Sequence, residues 1–180
     1  MLQRFEARQW LPFPVELVFA FFADPSNLAH LLPPRLKARI EDMRVLPPPA
    51  RPLAEDPARR FRSMAAGVGT EILLSLRPLP PLPYRVRCVA RIAEFEWYSH
   101  FIDEQARGPL RSFRHRHNIA AETREGEEGT LAVDAIEFEA HLGSIGAGLV
   151  RRHLEASFAF RLQRLPEILA AASRQAARRG

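Results

Sequence analysis

The sequence predicts an α+β fold in which two short helices precede a run of antiparallel strands and one long helix follows it. Three observations carry this prediction. Segments between residues 36 and 141 alternate apolar and polar residues, prolines delimit two short helical patterns near the N-terminus, and apolar residues recur at helical spacing near the C-terminus. A chain of 180 residues is expected to form one domain, residues 1–180, and to bury a sizeable core.

The N-terminal region is predicted to be a strand followed by two short helices. Residues 2–9 alternate as a strand does. Pro14 suits the first turn of a helix and is followed by apolar residues at helical spacing. Asp24 can then cap a second helix, with Pro25 at its first position.

Four later segments are predicted to be strands with one apolar face and one polar face. They cover residues 36–40, 72–76, 84–92 and 131–141, and Asp134 is the polar exception on the inner face of the last. The inner faces of the third and fourth segments carry Tyr84, Val86, Cys88, Ala90, Ile92, Ile136 and Phe138. A solvated basic patch is predicted on the outer face of the sheet, formed by Arg85, Arg87, Arg91, Arg114 and Arg116.

A long amphipathic helix is predicted from about residue 145 onward. Its apolar stripe consists of Leu154, Phe158, Leu162, Leu165, Leu169 and Ala172. Pro166 lies within this pattern. Because its ring clashes with the preceding turn, we expect it to kink the helix or to split it near Arg164.

Residues 98–119 combine a hairpin with an unusual set of ionisable side chains. Gly108 and Pro109 mark the turn, and His115 and His117 alternate with apolar residues on one face of the second strand. Ionisable groups thus occupy positions where a half-buried sheet normally carries hydrocarbon. The pattern predicts that the sheet lines a pocket as well as a core.

The register of this hairpin decides which acidic side chain faces inward. A loop of three residues would pair Asp103 with His115. A loop of four residues would instead place Glu104 opposite Phe113. Both registers are compatible with the sequence.

The amino-acid composition limits the classes of partner and the cellular compartment that we expect for the protein. The net charge of +5 comes from 26 Lys and Arg against 21 Asp and Glu, and these cations form no run with interleaved aromatics, so a nucleic-acid partner is not predicted. No apolar run could span a bilayer and the N-terminus lacks a signal-peptide core, so we expect a cytoplasmic protein without membrane insertion. Cys88 is the single cysteine, which excludes an internal disulfide. A homo-oligomer is left open.

Residues 46–63 lack the periodic pattern of apolar residues found in the segments on either side. They carry five prolines and little periodicity. A loop of this length inside a compact domain is typical of a lid, a binding loop or a disordered segment. We therefore expect residues 46–63 to form a proline-rich loop or lid.

Two stretches resemble one known superfamily. The segment PFPVELVFAFFADPSNLAHLLPP is similar to the entry segment of the START/SRPBCC superfamily, and FIDEQARGPLRSFRHRHNI resembles a subgroup of small bacterial members described as polyketide cyclase/dehydrase-like or ligand-binding. Three departures from the subgroup's pattern are Phe113 in place of Trp, Cys88 in place of a large aromatic residue, and the length of the 46–63 loop.

This resemblance implies the helix-grip fold, in which a curved antiparallel sheet of about six to seven strands wraps around the C-terminal helix. It also implies a cavity between the sheet and that helix. Because this fold hosts binding proteins and enzymes alike, it does not imply one chemistry. The residues expected to line the cavity are Tyr84, Val86, Cys88, Phe113, Asp134, Ile136, Phe138, Phe158 and Leu162.

Four polar residues are the candidates for chemistry in this cavity. His115, His117, Asp103 and Glu104 could transfer protons, because a His beside a carboxylate can titrate near neutral pH. The H-x-H pair could also hold zinc if His100 or Glu104 completed the site. A buried, hydrogen-bonded polar network is the favoured interpretation, and no metal or other cofactor is predicted.

Three functions follow in order of preference. The first is binding of a small hydrophobic or amphipathic molecule, with the histidines and a carboxylate at the polar end of the site. The second is a cyclase- or dehydrase-type enzyme that uses the same residues for proton transfer. The third is a protein-interaction module that uses the basic outer face of the sheet or an exposed edge strand.

Overall fold

The computed structural model describes residues 1–54, 59, 61, 63–78 and 83–177, with side chains described up to Arg174. Nine principal elements follow one another along these residues. They are β1 (Gln3–Leu11), α1 (Val15–Ala23), β2 (Arg39–Arg44), β3 (Glu71–Leu76), β4 (Val86–Glu96), β5 (His100–Arg107), β6 (Ser112–Arg124), β7 (Glu127–Glu139) and α2 (Gly143–Ala177). Two 3-10 segments, Pro25–Leu31 and Pro34–Leu36, connect α1 to β2.

The seven strands form one antiparallel sheet in the order β1-β7-β6-β5-β4-β3-β2. Consecutive strands from β2 to β7 are neighbours, and β1 closes the order by pairing with β7. The predicted α+β architecture, with an antiparallel sheet, two short N-terminal helical segments and one long C-terminal helix, is confirmed.

The connection from α1 to β2 contains the predicted helix cap, but the strand predicted after it starts later than expected. Asp24 caps the first 3-10 segment, its Oδ1 accepting from the Ser26 amide at 3.0 Å. The strand predicted at residues 36–40 begins only at Arg39, because Leu36 belongs to the second 3-10 segment and Lys37 has a left-handed backbone with φ of 44°. Leu36 is nevertheless buried.

The core lies between the inner face of the sheet and the helices. Every residue from Leu17 to Ala23 of α1 is buried, and Phe19 packs edge-on against Phe95 and Phe101 of the sheet. At the other end of the sheet, Phe158 of α2 packs on Phe5 of β1 with ring centroids 5.1 Å apart. The helix α2 therefore lies across the face made by β1 and β7.

Pro166 does not split α2, which runs continuously from Gly143 to Ala177. The proline has no amide hydrogen to give to the carbonyl of Leu162 one turn earlier. Gln9 of β1 gives that carbonyl a donor instead, with Nε2 at 2.8 Å. Among the described residues, none of the helices combines the length and the apolarity needed to cross a bilayer.

Candidate functional site

Five ionisable side chains from four elements meet between the sheet and α2. Strand β5 contributes one, β6 two, β7 one and α2 one. We call them the polar cluster: Asp103, His115, His117, Asp134 and Arg161.

The hairpin register brings the first three of these residues together. Asp103 lies directly opposite His115, and Phe101 lies opposite His117, so the first of the two alternative registers is the one observed. Asp103 therefore faces inward with both histidines. Glu104 is opposite Arg114 and pairs with its guanidinium on the outer face.

Each histidine ring bridges two carboxylates. His115 Nε2 lies 2.8 Å from Asp134 Oδ1, and its Nδ1 lies 3.7 Å from Asp103 Oδ2. His117 has the opposite orientation, with Nε2 3.0 Å from Asp103 Oδ2 and Nδ1 2.9 Å from Asp134 Oδ1. The His117 Nδ1 is close to this oxygen but is not aligned for a hydrogen bond. The two rings face one another, with centroids 3.7 Å apart.

Arg161 neutralises the more deeply buried carboxylate. Its Nη2 lies 2.9 Å from Asp134 Oδ2 and 3.1 Å from Oδ1. Burial raises the pKa of Asp134, but Arg161, the hydrogen bond from His115 and the close contact with His117 outweigh it and hold that pKa well below its usual value. The guanidinium lies over the ring of Phe22, 4.4 Å from its centroid, which places the ion pair against aromatic surfaces.

The two histidines are driven in opposite directions by their surroundings. Burial, reinforced by the neighbouring His117, lowers the pKa of His115. Burial also lowers the pKa of His117, but its contacts with Asp103 and Asp134 outweigh burial and raise it overall. The pKa of Asp103 falls despite burial, because His117 donates to it. These directions favour protonation of His117 over protonation of His115.

The cluster is closed on one side and accessible on another. His115, His117, Asp134 and Arg161 are all buried, whereas the Asp103 side chain is 22% exposed. Beside Asp103, the apolar inner face of β3 and β4 is also incompletely covered. Its half-buried residues are Leu74, Leu76, Val86, Cys88 and Ala90. We call this surface the β3–β4 cleft.

Cys88 links the cleft to the cluster. It is half-buried on the inner face of β4, and burial followed by the nearby Asp103 carboxylate raises the pKa of its thiol. A raised thiol pKa leaves less of the nucleophilic thiolate at neutral pH. Cys88 therefore acts as a small apolar side chain in the wall of the cleft.

The remaining predicted lining residues divide into core and surface. Ile136, Phe138 and Phe158 are buried together, with Phe113 packed against them. Tyr84 was predicted to face inward, and this is wrong: it is 67% exposed. Pairing between β3 and β4 ends at Leu76 and Val86, so Tyr84 lies beyond the sheet.

The outer face of the sheet is less basic than predicted. Arg114 pairs with Glu94 and Glu104, and Arg116 lies 3.6 Å from Glu94. His100 lies 3.6 Å from the same Glu94. These acids neutralise the centre of the predicted basic patch. His100 and Glu104 therefore lie on the outer face, away from the histidine pair.

Arg161 is the member of the polar cluster that the sequence interpretation missed. The apolar stripe of α2 led instead to Leu162, which is only half-buried. Arg161 follows Phe158 by three residues and precedes Leu165 by four, which is the spacing of an inward position. An Arg at such a position in a helix next to a strand with a buried Asp was the available signal.

A concave surface separate from the polar cluster is formed in part by the proline-rich loop. It has a volume of about 480 Å³ and is lined in part by Pro47, Pro49, Arg51 and Trp97. The Arg51 guanidinium lies 4.8 Å from the Trp97 ring centroid. None of the polar-cluster residues lines this surface. Residues 55–58, 60 and 62 of the predicted lid lie outside the described residues.

Comparison with known proteins identifies the fold. No protein-family model and no curated protein matches the chain. Among solved structures, TTHA0849 from Thermus thermophilus is similar with a TM-score of 0.61 and 17% identity, over 95% of this chain and 99% of that one. Ara h 8.0201 is similar with a TM-score of 0.54 and 13% identity, over 91% of this chain and 97% of that one. Identities this low establish shared architecture alone. Because Ara h 8.0201 has the helix-grip fold, this chain has the helix-grip fold too.

Proposed function

We propose that this chain is a single-domain member of the START/SRPBCC superfamily that binds a small, largely apolar molecule in the β3–β4 cleft, with the polar cluster at the polar end of the site. The incompletely covered apolar face of β3 and β4 beside a buried network of charges is the observation that carries the proposal. Small-molecule sites in proteins combine these two features: mostly apolar walls and a few convergent polar groups.

The exposed edge of the cluster defines the polar group of the ligand. Asp103 is its most accessible member, and its carboxylate accepts hydrogen bonds. A ligand with one hydroxyl or N–H donor would match this acceptor, whereas an anionic end would meet repulsion. The expected ligand is therefore an apolar molecule with a neutral hydrogen-bond donor at one end.

A neutral fluorescent probe with this chemistry tests the proposal. N-phenyl-1-naphthylamine has two aromatic ring systems, a naphthalene and a phenyl group, and one N–H donor, and its emission rises in an apolar site. We expect saturable binding of one equivalent by the wild-type protein. Cys88→Trp fills the cleft and is expected to abolish binding, because Cys88 lies on its wall.

Arg87→Trp is the matched control. Arg87 is the exposed neighbour of Cys88 on the opposite face of β4, so the same side chain is added to the same strand outside the cleft. Binding by this variant should equal that of the wild type. Equal binding by both variants, or no saturable binding by the wild type, overturns the proposal.

A cyclase- or dehydrase-type enzyme is the second candidate, and one observation favours it. His115 Nδ1 makes no hydrogen bond within the described part of the chain, and it lies toward the accessible Asp103. A nitrogen in this position could accept a proton from a bound substrate. If the protein is an enzyme, His115→Gln should abolish turnover of a polyketone substrate while leaving binding of N-phenyl-1-naphthylamine intact. If it only binds a ligand, the wild type should show no turnover.

A further inference from the structure

The two histidines direct one nitrogen each toward the same carboxylate oxygen. His117 Nε2 is 3.0 Å and His115 Nδ1 is 3.7 Å from Asp103 Oδ2. The three side chains can place one ligand atom each within 4.8 Å of one another. A tetrahedral centre with bonds of about 2.0–2.1 Å separates its donor atoms by about 3.3 Å. The two distances to Asp103 Oδ2 lie on either side of this value.

The opposite nitrogens of both rings lie against Asp134. His115 Nε2 is 2.8 Å and His117 Nδ1 is 2.9 Å from Asp134 Oδ1. Histidines that bind metals usually give their other N–H to a carboxylate, which fixes the tautomer and the direction of the lone pair. Asp134 binds the His115 ring through a hydrogen bond and lies beside Nδ1 of His117, so that His115 Nδ1 and His117 Nε2 both face Asp103.

We propose that Asp103 Oδ2, His115 Nδ1 and His117 Nε2 bind one divalent transition-metal ion. This inference goes beyond the proposed function and does not depend on it, since the site uses residues of the protein alone. When the cation binds, the proton between His117 Nε2 and Asp103 is released to the solvent. Asp134 positions the two ligating rings without touching the ion.

The charge of the surroundings suits a cation. Two carboxylates and one guanidinium leave a net charge of −1 when both histidines are neutral. Arg161 already compensates Asp134, whereas Asp103 is paired with the His117 proton that the cation replaces. The bound cation then supplies the counter-charge that a buried carboxylate needs.

The ligand positions are fixed by paired strands and by packing. Asp103 and His115 are direct partners in the ladder between β5 and β6. His117 is stacked on Phe101, with ring centroids 4.2 Å apart and planes inclined by 18°. The open side of the site faces the accessible edge at Asp103, which leaves room for water or a ligand atom as a fourth donor.

The donor set indicates the class of metal. Two imidazole nitrogens and one carboxylate oxygen suit Zn²⁺, Fe²⁺ or Co²⁺, whereas Ca²⁺ and Mg²⁺ prefer sets made of oxygen alone. Three protein ligands with an open position are also the pattern of reactive rather than purely structural metal sites.

Cobalt titration of chelator-treated protein tests the site. Co²⁺ bound by two imidazoles and a carboxylate gives visible absorption bands, and we expect one equivalent to bind. His115→Ala and His117→Ala should each abolish tight binding, and Asp134→Asn should weaken it by about 10- to 100-fold through the loss of ring positioning. His100→Ala is the matched control, because His100 is a partly buried histidine on β5 outside the cluster, and it should bind as the wild type does.

Nitrogen NMR of the wild-type imidazoles keeps the test independent of variant folding. On addition of Zn²⁺, the signals of His115 Nδ1 and His117 Nε2 should shift while those of His100 and His153 stay in place. The proposal is overturned if wild-type protein shows no saturable Co²⁺ binding, if His100→Ala loses binding as the cluster variants do, or if Zn²⁺ shifts other imidazole nitrogens instead.

Discussion

Gln9 donates a hydrogen bond from Nε2 to the carbonyl of Leu162 at a distance of 2.8 Å. That carbonyl lies four residues before Pro166, which has no amide hydrogen to offer it. A side chain of the first strand thus completes the backbone bonding of the last helix. The contact also ties α2 to β1 one residue away from Arg161.

The Gln9 contact predicts a non-additive pair of substitutions. Gln9→Ala should lower the free energy of unfolding by about 1–3 kcal/mol, because the Leu162 carbonyl loses its donor in a partly buried place. In a Pro166→Ala background the same change should cost less, since the introduced alanine supplies the amide that the helix lacks. Urea unfolding of the four proteins in this double-mutant cycle measures the difference. Equal costs in both backgrounds would show that Gln9 does not substitute for the missing amide.

Asp134 is predicted to be the cluster residue whose loss costs most stability. Asp134→Asn removes the counter-charge of Arg161 and leaves a guanidinium buried without its ion pair, so we expect a loss of about 3–5 kcal/mol at pH 7. Glu137→Gln is the control on the outer face of the same strand. Its exposed pair with Arg4 should contribute about 0–1 kcal/mol. Urea unfolding of both variants gives the comparison, and similar losses would contradict the assigned role of Asp134.

The pH dependence of this loss has a definite sign. The pKa of Asp134 is depressed in the folded protein, so its stabilising contribution is complete above the unfolded value near 3.8. The contribution declines as the pH falls below about 4 toward the folded pKa. The gap between wild type and Asp134→Asn should therefore narrow as the pH falls below about 4. Because Asp134 also raises the pKa of His117, the gap should widen between pH 7 and pH 5 as His117 becomes protonated in the wild type. A gap that narrows between pH 7 and pH 5 would contradict this account.

Alternation along the strands was enough to predict which side chains of the site lie on the inner face of the sheet. The two-residue period placed His115, His117 and Asp134 on the inner face, and the structure has them there. It could not choose between Asp103 and Glu104, because register depends on the closure of the turn. Gln105 closes it by donating from Nε2 to the Leu110 carbonyl at 2.8 Å, a contact that no periodicity reveals.

Two further residues show where pattern reasoning fails. Tyr84 continues the alternation of β4 but precedes Val86, where the pairing with β3 ends, so none of the strands in the described residues lies opposite it. Arg161 occupies an inward position of α2 that an apolar stripe cannot include, because its burial depends on a carboxylate from β7. Both outcomes are decided by contacts between elements far apart in sequence.

Native mass spectrometry of the protein purified without denaturants tests the central claim most directly, namely that the β3–β4 cleft binds a small molecule. The account predicts one bound molecule per chain, either carried through purification or acquired from added N-phenyl-1-naphthylamine. It also predicts that Arg87→Trp retains this molecule and that Cys88→Trp loses it. A wild-type protein that stays at the mass of the bare chain under both conditions, or a bound molecule that Cys88→Trp retains, would contradict the account.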